Sequence, residues 1–252
     1  MDFTHRHYAQ LLDDLFQRGY RTATVHEHLS LPQPDRVVLL RHDVDYDARR
    51  AVRIAEIEAE RGVRATYYFR SSHYPGSHNL SLMHRIASMG HEVGYHYETL
   101  DRCRGDLTSA AANFEDELSI MRGEGFSVST VCPHGNPRIR KQGYRTNGDL
   151  ILRMPELLPR NGLVGDAYAS IDFSGLSYIS DVGVCFMGVG TVAALRRSWG
   201  TTAPPHIYLL THPDYWSPTS VRALFMWSAG KLMRAARVNQ VLVSLRGQAG
   251  RL

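Results

Sequence analysis

Four short fragments of this sequence carry carboxylates and imidazoles, the side chains that bind metal ions and transfer protons. They are residues 41–45 (RHDVD), 94–98 (GYHYE), 133–135 (PHG) and 211–213 (THP), and each follows an apolar, strand-like run. In an α/β protein the carboxyl ends of parallel strands share one face, where ligand and catalytic groups collect. We therefore expect two carboxylates and three imidazoles to meet at one site.

Asp43 and Asp45 lie directly after residues 36–40, an apolar and partly β-branched run that is typical of a buried strand. Side chains alternate along a strand, so extended geometry would point both carboxylates into one pocket. Two carboxylates in a partly dry site cannot both ionise cheaply without a compensating cation or proton. The alternative is a turn that caps the next helix, because Asp47 precedes a helical stretch. The histidines at three other strand ends favour the functional interpretation.

Four ordered motifs resemble those of a known family. They are residues 41–45 (RHDVD), 65–70 (ATYYFR), 90–96 (GHEVGYH) and 210–213 (LTHP). In order and spacing they resemble the polysaccharide deacetylase family, carbohydrate esterases of the chitooligosaccharide deacetylase kind, and most of all its cytoplasmic-looking branch. The resemblance covers residues 36–216. It implies a distorted (β/α)7-type barrel of parallel strands, and a divalent metal that activates water to hydrolyse an N-acetyl or related amide.

The same resemblance implies roles for four residues. Asp43 matches the family's catalytic base, and His212 matches the late histidine that protonates the leaving amine. Asp45 matches the metal-binding aspartate, and His96 matches the first metal-ligand histidine. A zinc-type cation bound by a carboxylate and imidazoles keeps an open position for water and lowers the pKa of that water towards ~7. We expect zinc, with cobalt, nickel, iron or manganese as alternatives.

The third metal ligand departs from the family pattern. The family places a second ligand histidine four residues after the first, but the residue four after His96 is Leu100. We expect His134 to take this role, which makes Asp45, His96 and His134 the ligand set. Glu98 is the substitute if His134 orients the substrate instead.

The expected substrate is a small N-acetylated sugar or a related amide, and oligomeric state stays open. Residues 143–149 are predicted to lie over the strand ends, where Tyr144, Arg145 and Asn147 would join Glu98 in binding substrate. The predicted enzyme is a hydrolase acting on carbon–nitrogen bonds other than peptide bonds. The alternatives are an enzyme that hydrolyses or rearranges another C–N bond in specialised metabolism, and a catalytically degenerate sugar-binding barrel.

Length and composition predict one catalytic domain over residues 1–252, with an N-terminal helix (1–30), a motif-bearing barrel core (36–216) and a C-terminal helix and tail (217–252). The chain is 43% apolar, and no apolar run approaches the ~18 residues of a membrane span. It also lacks a secretory signal pattern, so we expect a cytoplasmic protein without a membrane partner. No basic stripe with interleaved aromatics indicates nucleic acid. The net charge of +4 comes almost wholly from arginine and permits an anionic substrate.

Helix and strand signals alternate along most of the chain, which predicts parallel βαβ units. Helices are predicted over residues 8–18, 47–61, 80–89 and 108–122, the last with a hydroxyl cap. Strands are predicted over residues 36–40, 127–132 and 207–210. Residues 133–200 are the least regular part.

Overall fold

A computed structural model describes residues 2–73, 76–135, 143–181, 184–199 and 203–221. The strands of this part are β1 Arg21–Ala23, β2 Val37–Val44, β3 Thr66–Phe69, β4 Glu92–Tyr97, β5 Thr130–Pro133, β6 Gly165–Asp166, β7 Ser177–Ser180 and β8 His206–Thr211. The α-helices are α1 His5–Gln17, α2 Val25–Ser30, α3 Ala48–Ala59, α4 Ser77–Ser88, α5 Thr99–Arg102, α6 Leu107–Gly123, α7 Asp149–Arg153, α8 Leu157–Arg160 and α9 Val192–Ser198.

All of these strands pair in parallel within one sheet. Its order is β6-β5-β4-β3-β2-β8-β7, and β1 pairs with β2 beside this path. Helices α3, α4 and α6 connect neighbouring parallel strands, as βαβ units require. The predicted parallel α/β architecture is confirmed.

The sheet is strongly curled. Neighbouring strands lie roughly 4.8 Å apart, so β2 and β5, three strands apart, would be separated by roughly 14 Å in a flat sheet. Yet Cys132 Sγ on β5 lies 4.0 Å from Asp43 Oδ1 on β2. The sheet therefore wraps around an interior, as in the distorted barrel that the sequence motifs indicated.

Curling divides the buried side chains into two clusters. The inner one contains Val25, Leu39, Tyr68, Cys132, Ala167, Ile171 and Tyr208. The larger outer one lies between the sheet and the helices. Along β2 the side chains alternate as predicted, with Leu39, Arg41 and Asp43 inward and Leu40, His42 and Val44 outward.

The predicted helices are present with adjusted ends. The predicted cap residue Asp47 accepts a hydrogen bond from the Arg49 backbone N–H at the start of α3. Helix α6 is capped by Asp106 rather than by the expected hydroxyl residue Thr108, since the Asp106 carboxylate reaches the Ser109 N–H at 2.7 Å.

The expected N-terminal helix differs from the structure, whereas the expected C-terminal helix can be compared with it only in small part. Residues 2–30 contain α1, β1 and α2 rather than the single helix expected over 1–30, because the Thr24 capping box starts a separate helix. Most of the C-terminal helix and tail expected over 217–252 lies outside the described residues, and the single-domain organisation stays a prediction. Within the described ranges, no helix combines the length and apolar character needed to cross a membrane.

Candidate metal and catalytic site

Asp45, His96 and His134 lie together at the carboxyl ends of β2, β4 and β5. The Nε2 atoms of both histidines lie 3.6 Å from Asp45 Oδ1, and the three residues offer ligand atoms all within 4.8 Å of one another. Asp45 Oδ1 is buried and has no hydrogen-bond partner. An unpaired buried carboxylate oxygen is costly. A divalent cation would compensate it, so these residues fit a metal ion.

Electrostatics keep Asp45 ionised. Burial raises the pKa of Asp45, but the imidazoles of His96, His212 and His134 outweigh burial and hold this pKa far below its usual range. The carboxylate is therefore available as an anionic ligand at any physiological pH.

The second nitrogen of the His96 ring explains its orientation. His96 Nδ1 lies 3.0 Å from the Cys132 carbonyl oxygen, which can only accept a hydrogen bond, so Nδ1 carries the proton. The lone pair of the neutral ring is then on Nε2, the nitrogen that faces Asp45. A hydrogen bond from the rear nitrogen to a backbone carbonyl is the usual way in which proteins orient a ligand histidine.

Glu98 takes the corresponding place behind His134. Glu98 Oε2 lies 3.4 Å from His134 Nδ1. The same carboxylate is bonded by Arg70 at 2.7 Å and by Arg102 at 3.1 Å. Although burial raises the pKa of Glu98, His134 and then Arg70 lower it to about 2. His134 Nδ1 is buried without a hydrogen-bond partner, so Glu98 approaches the ring as a charge and does not form a hydrogen bond with it. Glu98 is already bonded by two arginines, which favours His134 over Glu98 as the third ligand.

Leu100 has no ligand atom, and its side chain is fully buried in the outer core. Because β5 pairs with β4, His134 follows the strand next to the one that carries His96. His134 therefore supplies, from the end of β5, a potential donor atom beside those of Asp45 and His96.

A second group of potential ligands, Asp43, His96 and Cys132, overlaps the first. Arg41 donates to both Asp43 oxygens, at 2.8 and 2.7 Å. Burial raises the pKa of Cys132 well above its usual value, so the sulfur is a neutral thiol. A metal would need a thiolate and an accessible carboxylate. The set Asp45, His96 and His134 is the better metal site.

Asp43 is an ionised carboxylate held in a fixed direction. Burial raises the pKa of Asp43, but the charge of Arg41 and the nearby imidazole of His96 lower it below its usual value. Arg41 is itself fully buried, and its guanidinium donates to the Tyr208 hydroxyl at 3.0 Å and lies 4.4 Å from the centre of the Tyr168 ring. Asp43 Oδ2 lies 3.7 Å from His96 Nε2, beside the predicted metal ligands.

His212 forms a tight pair with Asp181. Its Nδ1 lies 2.6 Å from Asp181 Oδ1, and its backbone N–H donates to the same carboxylate at 3.0 Å. Burial lowers the pKa of His212, but Asp181 and then Asp45 and Asp43 raise it to about 9. The imidazole is therefore protonated at neutral pH, with Nε2–H as its remaining donor.

Sequence reasoning missed Asp181. It follows the short strand β7, within a stretch that shows no clear periodicity. The pairing of Ser180 with Leu210 in the parallel β7–β8 ladder brings Asp181 beside the end of β8. The only available signal was a carboxylate at the end of a strand-like run.

The predicted substrate residues after β5 are engaged within the protein. Asn147 is fully buried, and its side-chain N–H donates to the His134 carbonyl at 2.8 Å, so it supports the loop that carries a predicted ligand. Arg145 pairs with Asp149 at 3.3 Å. The Tyr144 hydroxyl donates to a backbone carbonyl at 2.8 Å. Substrate binding by these residues stays a prediction.

No family model and no curated protein matches the chain. Among solved structures, it is similar to a family 4 carbohydrate esterase from Bacillus anthracis, with 17% identity, coverage of 89% of this chain and 85% of that chain, and a TM-score of 0.43. A family 4 carbohydrate esterase from Streptomyces lividans in complex with acetate shows 12% identity, coverage of 77% and 87%, and a TM-score of 0.43. A family 4 pseudoenzyme from Bacillus anthracis shows 16% identity, coverage of 80% and 62%, and a TM-score of 0.40.

These solved structures belong to the carbohydrate esterase class that the motifs resemble. At such low identities and scores, they carry no argument about the reaction of this chain. Its chemistry has to be inferred from its own residues.

Proposed function

We propose that this protein is a metal-dependent hydrolase that removes an N-acetyl group from a soluble amino sugar or sugar-containing metabolite. The observation that supports this most is the unpartnered Asp45 Oδ1, buried between the Nε2 atoms of His96 and His134. An oriented carboxylate, Asp43, and a protonated imidazole, His212, accompany it. A cation site, a base and an acid together form the set that amide hydrolysis requires.

Asp45, His96 and His134 would hold the metal. One carboxylate oxygen and two imidazole nitrogens are a common ligand set of catalytic zinc, so zinc is the ion we propose. When bound, such an ion polarises a carbonyl oxygen and lowers the pKa of water.

Asp43 is the proposed general base. It accepts a proton from the water whose oxygen attacks the acetyl carbonyl carbon. The two hydrogen bonds from Arg41 keep the carboxylate ionised and fix its direction, so the base does not rotate away from the water. Fixed geometry of this kind contributes strongly to rate, because a misplaced group reacts far more slowly.

His212 is the proposed general acid. As the C–N bond breaks, its Nε2–H gives a proton to the departing nitrogen, since an amine leaves poorly as an anion. Asp181 holds the ring by Nδ1 and stabilises its cationic form. The raised pKa, about 9, keeps this acid loaded at neutral pH.

A backbone N–H of the loop after β5 is expected to stabilise the oxyanion, as the family resemblance suggests. Pro133 has no N–H, and the His134 N–H donates to the Tyr97 carbonyl at 2.7 Å. The N–H of Gly135 is therefore the donor that we propose for this loop.

Elemental analysis of purified protein tests the metal site. We expect close to one zinc or other transition-metal ion per chain in the wild type, and its loss in Asp45→Ala, His96→Ala and His134→Ala. His84→Ala is the matched control. His84 lies on the outer helix α4, where its ring stacks on Phe126, so this substitution should leave the metal in place. A wild type that stays without metal after reconstitution would contradict the proposal.

Acetate release from N-acetylated amino sugars tests the reaction. Release by the metal-loaded wild type would support deacetylation, whereas ammonia or a ring-opened product would favour the alternative C–N hydrolase. Bound metal without turnover would favour the degenerate binding barrel. We also propose a cytoplasmic location, because all three cysteines are free thiols, which suits a reducing compartment.

A further inference from the structure

A buried polar network lies on the outer face of the sheet, behind the candidate site. Its centre is Glu58 of α3, which accepts hydrogen bonds from Tyr8 at 2.5 Å, Tyr67 at 2.6 Å and His42 Nε2 at 2.8 Å. All four residues are fully buried. Burial raises the pKa of Glu58, but His42 and further neighbours outweigh it, so the carboxylate is ionised. A buried carboxylate with three donors is a rigid anchor.

His42 extends this network to strand β8. Its Nδ1 lies 2.7 Å from Thr211 Oγ1. A hydroxyl can donate or accept, so the bond is retained whether the imidazole is neutral or cationic. His42 and Thr211 are also paired in the β2–β8 register, at the last pair of that ladder. The side-chain bond therefore ties the two strands where their backbone pairing ends.

The residues that follow are the proposed base and acid. His42 directly precedes Asp43, and Thr211 directly precedes His212. Successive side chains of a strand point to opposite faces, so fixing an outward residue also fixes the direction of its inward neighbour. His212 uses both its backbone N–H and its Nδ1 on Asp181, so a small displacement of Thr211 would disturb both bonds.

We propose that His42, anchored by Glu58, is a positioning residue that holds the His212–Asp181 pair in place relative to Asp43 through its hydrogen bond to Thr211. The roles of Asp43 and His212 in this inference rest on the proposed function. An apolar contact would fill the same space, but it would set no direction. A hydrogen bond between buried groups sets both distance and angle.

Two matched variants of Thr211 test the inference. Thr211→Val removes the hydroxyl and keeps the branched shape, and Thr211→Ser keeps the hydroxyl. In histidine-labelled protein, NMR should show the His212 Nδ1 proton far downfield because of its 2.6 Å bond to Asp181. We expect Thr211→Val to shift or broaden this resonance and Thr211→Ser to retain it. For acetate release, kcat should fall about 10- to 100-fold in Thr211→Val with KM and zinc affinity nearly unchanged.

Tyr67→Phe is the control for a merely structural role. It removes a different donor to Glu58 and leaves the His42–Thr211 bond intact. We expect a lower Tm with an unchanged resonance and unchanged kcat. An unaltered resonance in Thr211→Val, or an equal loss of kcat in Tyr67→Phe, would overturn the inference. A zinc-loaded wild type that releases no acetate would contradict the proposed function instead, and the resonance would still decide the inference.

Discussion

Two carboxylate–histidine pairs flank the candidate site, and they differ in the charges that surround the carboxylate. Glu98 faces His134 Nδ1 at 3.4 Å, and Asp181 faces His212 Nδ1 at 2.6 Å. Asp181 forms a hydrogen bond with the rear nitrogen of His212, whereas Glu98 only faces the rear nitrogen of His134. We assign opposite tasks to them, a metal ligand at His134 and a proton donor at His212.

Charge compensation explains the difference. Arg70 and Arg102 both bond to Glu98, and His134 followed by Arg70 lowers the pKa of this carboxyl to about 2. In the described part of the chain no arginine bonds to the Asp181 carboxylate, whose pKa is raised by burial. His212 is then the cation that stabilises this anion. A carboxylate behind a histidine thus favours a protonated imidazole most strongly when it lacks another cation.

Removing the acid should have the largest effect. We expect His212→Ala to lower kcat by about 10²- to 10⁴-fold, the usual contribution of a positioned acid. Bound zinc should stay near the wild-type content, because His212 is not among the predicted ligands. Single-turnover acetate release and elemental analysis on the same sample would check both. Turnover that persists at the wild-type rate would remove His212 from the mechanism.

Replacing the Asp181 carboxylate should change the pH dependence of kcat. His212 is the acid only while protonated, so wild-type activity should decline as pH rises through about 9. Asp181→Asn removes the main cause of the raised pKa, and we expect the alkaline limb of kcat to move down by about one pH unit or more. A pH profile of kcat for both proteins would measure this. An unmoved limb would mean that another group limits activity at high pH.

The same substitution affects stability with a defined sign. His212 has a folded pKa above its ordinary value of 6.5, so its contribution to the free energy of unfolding is full below pH 6.5 and is lost by about pH 9. Metal-free wild type should therefore lose stability across this window more steeply than metal-free Asp181→Asn. Urea unfolding at several pH values would test this expectation.

Much of this site can be predicted from the sequence, because the alternation of side chains along a strand is a local property. Alternation along β2 predicts that Asp43 and Asp45 face one side and His42 the other. The same alternation places Arg41 on the side of the aspartates, so its contact with Asp43 could be predicted from the sequence. The strength of these two hydrogen bonds depends on burial, which the sequence does not show.

The features of the site that could not be predicted from the sequence depend on how separate elements of the fold meet. Asp181 meets His212 only because β7 pairs with β8 in one register, and a two-residue shift would move the carboxylate away. Arg70 reaches Glu98 from the loop after β3, whereas Arg102 lies four residues beyond Glu98 at the end of the short helix α5. One sequence shows neither the register of a short strand nor the direction of a long cationic side chain. The tasks of the two histidines could be proposed from the sequence, but the reason for the difference could not.

Glu98→Gln tests the Glu98–His134 pair, and its effect, a loss of zinc affinity, should be the smallest. The amide keeps the shape behind His134 but removes the negative charge that faces His134 Nδ1 at 3.4 Å. Loss of such a partner typically costs 10- to 100-fold in metal affinity, and we expect about tenfold, because the contact is long and its charge is shared. Competition titration with a zinc chelator would measure this. The alkaline limb of kcat in the zinc-saturated variant should stay near pH 9, since the Asp181–His212 pair is untouched. Unchanged zinc affinity, or a limb that moves as in Asp181→Asn, would show that the two pairs are not divided between metal binding and proton transfer.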